Sequence, residues 1–152
     1  GDMIVGNLGT TKRINYTAMG QPMNLAARLE GVNKVYGTWI CLSEYTAGKL
    51  GTDFELRRMD RVRVRGTEQP VRLFELVGYR AETSAPMREA LDLFNQGLEA
   101  FEQRSWESSR NLFQTVLRIY PNDGPANTFI RRCEKFLSEP PRSSWDGIIN
   151  LG

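Results

Sequence analysis

The chain has no histidine and only two cysteines, Cys41 and Cys133, among its 152 residues. Without histidine there is no serine–histidine or cysteine–histidine catalysis and no histidine-ligated metal site. The two cysteines stand far apart and lack the paired spacing of a zinc site or a disulfide framework. Both are therefore expected as reduced thiols in a cytoplasmic protein. No apolar run approaches the length of a membrane span. Charge of either sign is scarcely in excess: 20 Lys and Arg against 18 Asp and Glu give a net charge of +2. Bulk electrostatics therefore offers no hold on nucleic acid or on a membrane surface, and no nucleic-acid partner is expected. A start methionine is lacking too. The chain opens Gly1-Asp2, as a piece cut from a longer protein would, and a membrane anchor in the missing N-terminal part stays open.

What is present is ordinary for a globular protein, with 40% hydrophobic and 25% charged residues. The length suits one domain or two small modules. The first module covers about 1–80. Met3-Ile4-Val5 is a short apolar run closed by Gly6-Asn7-Leu8-Gly9, and a polar turn at 10–13 leads to a second run at 14–18, so the two form a hairpin. Gly20 breaks that run. Pro22 then opens a helix, since its missing N–H would be unpaired in a first turn anyway. The helix reaches about Val35 and ends at Tyr36-Gly37, where glycine takes the left-handed closing conformation. Leu25, Leu29 and Val32 form an apolar stripe that anchors it to a sheet, while Asn24 and Arg28 lie one turn apart on a neighbouring face.

Further along, 38–42 reads as a strand by its β-branched and aromatic content, with Trp39 and Cys41 as packing residues. Ser43 caps a short helix over 44–50. Alternation at 54–59 and again at 62–65 predicts two strands, and 71–77 a last one, after a turn at 66–70. Arg57, Arg58, Arg61 and Arg63 make a basic run on this alternating pattern and are expected on a solvated face. The order of elements is α+β, a mixed or antiparallel sheet with helices.

Several of these residues also resemble a family. Gly6-Asn7-x-Gly9, then Tyr16-Thr17-x-x-Gly20, then Asn24-Leu25-Ala26-Ala27-Arg28-Leu29-Glu30 are similar to the second half of a class III nucleotide cyclase domain. Val64-Arg65-Gly66, followed by Pro70-Val71 and Phe74-Glu75, is similar to the end of that domain. The resemblance implies a partial ferredoxin-like cyclase domain. It further implies that Asn24 and Arg28 orient the ribose and stabilise charge at the α-phosphate, that Thr17 reads the purine edge, and that Arg65 holds the terminal phosphates where lysine is usual. Read alone, Asn24 and Arg28 would suit a solvated helix face, Thr17 an ordinary strand position, and Arg65 an exposed strand arginine.

Threonine at 17 is similar to bacterial-type adenylate cyclases rather than guanylate cyclases, so ATP is the implied substrate. Gln21 stands where many bacterial members carry aspartate. The family's two metal-binding aspartates fall before Gly1, so the two Mg2+ or Mn2+ ions are expected on residues outside this chain, with no metal ligand within it. The site forms between two cyclase domains, which implies a homodimer. The fragment alone is then expected to be inactive. Different readings are a degenerate cyclase-like dimerisation or binding module with a protein-docking helical appendix, or a guanylate cyclase.

The character changes after a polar link at 81–86. Leu91, Phe94, Leu98 and Phe101 give 87–103 a helical period, 106–120 forms a second helix, and 126–137 a third after the turn at 121–125. Gly97, Phe113 and Pro121 fall at the spacing of a tetratricopeptide repeat, which the small Ser109 also fits, so 87–137 resembles one repeat and the start of another. A plain helical hairpin is the alternative. A lone repeat must lean on something else, the cyclase half or a protein partner. The tail, 138–152, is expected to be irregular, with Trp145, Ile148 and Ile149 tucked into a groove or disordered.

Overall fold

A computed structural model describes residues 1–64 and 69–151. The architecture is α+β, as the order of elements implies. Strands β1 (Ile4–Thr10) and β2 (Arg13–Met19) form an antiparallel hairpin with Thr10 opposite Arg13. Gly6 and Gly9 therefore lie within the strand rather than closing it. The hairpin stands apart from the main sheet and leaves Ile4, Val5, Ile14, Tyr16 and Met19 exposed.

Helix α1 (Gln21–Tyr36) follows, with Pro22 in its first turn and Gly37 closing it at φ 68°. The main sheet contains β3 (Cys41–Ser43), β4 (Phe54–Val64), β5 (Val71–Tyr79) and β6 (Ile148–Leu151) in the order β3-β5-β4-β6. Among the described residues only the β4–β6 pair is parallel. Between β3 and β4 lies the short α2 (Glu44–Ala47), capped by the Ser43 hydroxyl, which accepts from the Thr46 amide at 3.4 Å.

Three longer helices complete the chain: α3 (Ala85–Glu102), α4 (Trp106–Ile119) and α5 (Gly124–Ser138). Ser84 caps α3 by accepting from the Met87 amide at 3.3 Å, and Asp123 caps α5 through the Ala126 amide at 2.8 Å. The link at 81–86 holds the end of a 3-10 turn (Arg80–Glu82) and the Ser84 cap. Gly97 lets α3 and α4 approach closely, because a Cβ there would lie 2.9 Å from the Phe113 ring. Ser109 is buried beside it and donates to the Gly97 carbonyl at 2.8 Å.

A single hydrophobic core joins everything except the hairpin. It gathers Leu29, Val32 and Tyr36 of α1 with Met59, Val62, Val71 and Leu73 of the sheet, and with Phe94, Phe113 and Phe129 of the helices. Phe129 is its hub, with ring contacts to Tyr36, Phe94, Phe101 and Phe113.

Further local expectations differ from the structure, and β3 begins only at Cys41 rather than at 38. The two alternating segments form one strand, β4, with a register shift between Arg58 and Arg61. The extra residue breaks strict alternation, so Met59 and Asp60 both turn inward despite being neighbours. Arg57 is consequently not solvated: it is 8% exposed and ion-paired. Trp39 does not pack, being 93% exposed on the bend before β3. The tail is not wholly irregular, since β6 pairs with β4 and Trp145 packs against Phe101, Trp106 and Phe136.

Since Phe129 links both modules, Phe129→Ala is expected to cost about 3–5 kcal/mol, the usual range for deleting a buried ring. Urea denaturation followed by circular dichroism and by tryptophan fluorescence should give coincident transitions, both shifted. Separate transitions for sheet and helices would contradict a shared core.

Candidate functional site

Helix α1 is anchored on one side only. Leu29, Val32 and Tyr36 are buried, Leu25 is half-buried against the core, and Asn24 is exposed with Arg28 half-exposed. A helical spacing of four puts Asn24 and Arg28 on one face, about 6 Å apart along the axis. Among the described residues no hydrogen bond or ion pair engages the side chain of Thr17, Asn24 or Arg28. An amide and a guanidinium are thus left free to donate outward, the guanidinium as a planar fork suited to phosphate oxygens.

Thr17 lies in β2 opposite Gly6, exposed, three residues before Gly20 turns the chain into α1. The structure brings Asn24 and Arg28 together on one helix face and places Thr17 on the adjoining strand, with no hydrogen bond linking it to them. Arg65 lies outside the described residues. Gln21 is exposed at the first position of α1.

On another side of α1 lies an apolar pocket of about 410 Å³, lined by Met3, Pro22, Met23, Leu25, Ala26 and Tyr45 among others. Neither Asn24 nor Arg28 lines it, and its walls suit apolar surface better than a triphosphate. Among the described residues no three Asp, Glu or Cys side chains gather as a metal-ligand set.

Two buried charge clusters went unseen in the sequence. Arg57 donates through Nε to Glu75 at 2.7 Å and through Nη1 to Asp123 at 2.6 Å, with its guanidinium 4.8 Å from the Phe94 ring centre. Burial pushes the Glu75 carboxyl above its usual range, and the Arg57 charge opposes that. In the second cluster, Asp60, 3% exposed, accepts from the Tyr36 hydroxyl and from Arg132, while Arg132 Nη2 donates to Tyr36 Oη at 2.9 Å. Burial, then the Asp60 charge, raises the Tyr36 phenol so that it stays protonated and donates. The one available signal was a lone acid, Asp60, inside a run of arginines. Burial also pushes the Cys41 thiol up to about 11, which keeps it protonated at neutral pH and unsuited to nucleophilic work.

No helix among the described residues is long and apolar enough to cross a membrane. No family model matches the chain, and no solved structure matches it. Curated proteins do. The chain is 31% identical over 137 residues, 88% of its length, to the terminal-differentiation specific adenylate cyclase of Dictyostelium discoideum, covering 6% of that protein. It is 35% identical over 78 residues, 51% of its length, to adenylate cyclase 1 of Rhizobium meliloti, covering 12% of it. With the adenylate cyclase of Anabaena cylindrica it shares 34% identity over 79 residues, 50% of the chain and 16% of the relative. The chain thus spans less than a fifth of each of these relatives. A match of 137 residues in a chain of 152 necessarily runs well into the helical segment. These similarities relate the chain to the adenylate cyclases.

Proposed function

We propose that this chain contributes the base-reading and transition-state residues of a class III adenylate cyclase, which converts ATP to cyclic AMP and pyrophosphate. The observation that carries this reading is the unpaired Asn24 and Arg28 on the free face of an otherwise anchored helix, in a chain similar to named adenylate cyclases. In the reaction the ribose 3′-oxygen attacks the α-phosphorus, a new P–O bond forms, and the bond to the β-phosphate oxygen breaks to release pyrophosphate. Negative charge builds on the α-phosphate oxygens as this happens. Donors already held in place stabilise that charge more than they stabilise bound ATP. Arg28 supplies the positive fork and Asn24 orients the ribose. Thr17 hydrogen-bonds the adenine edge, and Arg65 holds the terminal phosphates.

The Mg2+ or Mn2+ ions would be held by the family's pair of metal-binding aspartates, which the resemblance places outside this chain. Bound there, the ions would activate the ribose hydroxyl and neutralise the triphosphate. The complete site therefore lies between two cyclase domains of a homodimer. The exposed apolar side chains of the β1–β2 hairpin and the apolar pocket beside α1 support such a covering partner. They equally favour the second reading, a cyclase-like dimerisation module whose tetratricopeptide-like helices dock a protein.

In the full-length protein, Arg28→Ala is expected to lower kcat by about 100-fold or more while the KM for ATP changes by less than about threefold. Unchanged turnover would refute the assignment. The 152-residue chain by itself is expected to form no cyclic AMP from ATP with Mg2+ or Mn2+. Sustained metal-dependent production would show that the site is complete within it.

A further inference from the structure

The helical segment touches α1 through Phe129 and along one stripe of α5. Gly124, Thr128 and Arg132 stand at successive intervals of four on α5, hence on one face. Each meets the C-terminal end of α1 or the turn that closes it. At Gly124 the approach is so close that a Cβ would sit 2.0 Å from the Tyr36 carbonyl oxygen and 3.2 Å from the Gly37 Cα. Thr128 Oγ1 donates to the Val35 carbonyl at 3.4 Å. Arg132 reaches both the Tyr36 hydroxyl and the buried Asp60 of β4, and its guanidinium lies 5.4 Å from the Tyr36 ring centre.

The other end of α1 has no comparable hold. Its N-cap, Gly20, makes no side-chain capping bond, and Gln21, Met23 and Asn24 are exposed. The direction of the helix is therefore set by its buried stripe from Leu25 to Tyr36 and by the hold of α5 and β4 on its end. Tyr36 is two turns beyond Arg28, about 12 Å along the axis. A small rotation at Tyr36 swings Asn24 and Arg28 relative to anything bound across from them.

We propose that Arg132 is a positioning residue for the cyclase reaction: through Tyr36 and Asp60 it sets the orientation of α1, and with it Asn24 and Arg28. Helix α5, through Arg132, then positions the catalytic helix, while the rest of the helical segment only supports the fold. This rests on the cyclase reading of Asn24 and Arg28. The long match to the Dictyostelium relative, which continues into the helices, is in keeping with it. A misplacement of about 1 Å at a transition-state donor is enough to cost orders of magnitude in rate, whereas binding of the whole nucleotide is spread over many contacts.

The test compares four variants of the full-length protein, assayed with ATP well below their melting temperatures. Arg132→Met and Gly124→Ala are expected to lower kcat by about tenfold or more, with KM for ATP within about twofold. Arg132→Lys, which keeps the charge beside Asp60, should recover part of that loss. Val116→Ala is the control, because Val116 is buried in α4 and belongs to the helical core. It should lower the melting temperature and leave kcat within about twofold. Hydrogen exchange read in the same proteins should show faster exchange of the 32–36 amides for Arg132→Met and not for Val116→Ala.

Unchanged kcat in Arg132→Met overturns the proposal, as does an equal loss in Val116→Ala, which would mark a merely structural effect. Failure of the cyclase reading looks different. Either the unmodified protein would form no cyclic AMP or Arg28→Ala would retain full turnover, while faster exchange of 32–36 in Arg132→Met would still report the grip on α1.

Discussion

A carboxylate buried where a sheet meets two helices is the constraint on which the rest of this structure depends. Asp60 is almost wholly removed from solvent and is held by the Tyr36 hydroxyl and the Arg132 guanidinium. An ion taken from water without a partner costs several kcal/mol, and removing one member of a buried pair typically costs about 3–5 kcal/mol. The chain therefore has strong reason to keep α1, β4 and α5 in register. Arg57 repeats the arrangement nearby, joining Glu75 of β5 to Asp123 at the cap of α5. Both clusters cross from the first eighty residues to the helices, and the aromatic core around Phe129 fills the space between them.

The buried carboxylate explains the asymmetry of α1. Its buried stripe ends at Tyr36, inside the charged cluster, while the side chains of Asn24 and Arg28 face outward without a hydrogen-bond or ion-pair partner among the described residues. A free guanidinium on a firmly held helix is costly to no one until a phosphate arrives, and it then needs little reorganisation to stabilise developing charge. The same constraint leaves the β1–β2 hairpin outside the core. A two-stranded ribbon is marginal alone, and this one exposes apolar side chains on a structure that already has a filled core. Both features suit one wall of a site that another domain closes.

Much of this was legible in the sequence because it is encoded locally. Pro22 and Gly37 bracket α1 by backbone chemistry that does not depend on the rest of the fold. The same holds for the cap at Ser43, and the hairpin follows from two β-rich runs around a polar turn. Asn24 and Arg28 share a face simply because four residues make about one turn. The misreadings all needed tertiary information. One extra residue in β4 reverses the alternation after Met59, so a period-two reading sends Asp60 outward and treats Arg57 as solvated. The partners of those residues lie 18 to 72 positions away, where no local pattern reaches them. Trp39 looks like a core residue by type, yet the chain bends before β3 begins and leaves it in solvent. The pairing of Ile148–Leu151 with β4 is likewise a long-range event that four residues cannot announce.

The central claim is that this chain supplies one wall of a cyclase site and a second domain supplies the metal-bearing wall. The most direct measurement mixes two full-length variants, one carrying Arg28→Ala and the other disabled in its metal-binding carboxylates, and follows cyclic AMP formation from ATP. Each alone should be inactive, and the mixture should regain activity, because a mixed dimer rebuilds one intact site from the two undamaged walls. A mixture as inactive as its components, under conditions where the subunits demonstrably exchange, would contradict it.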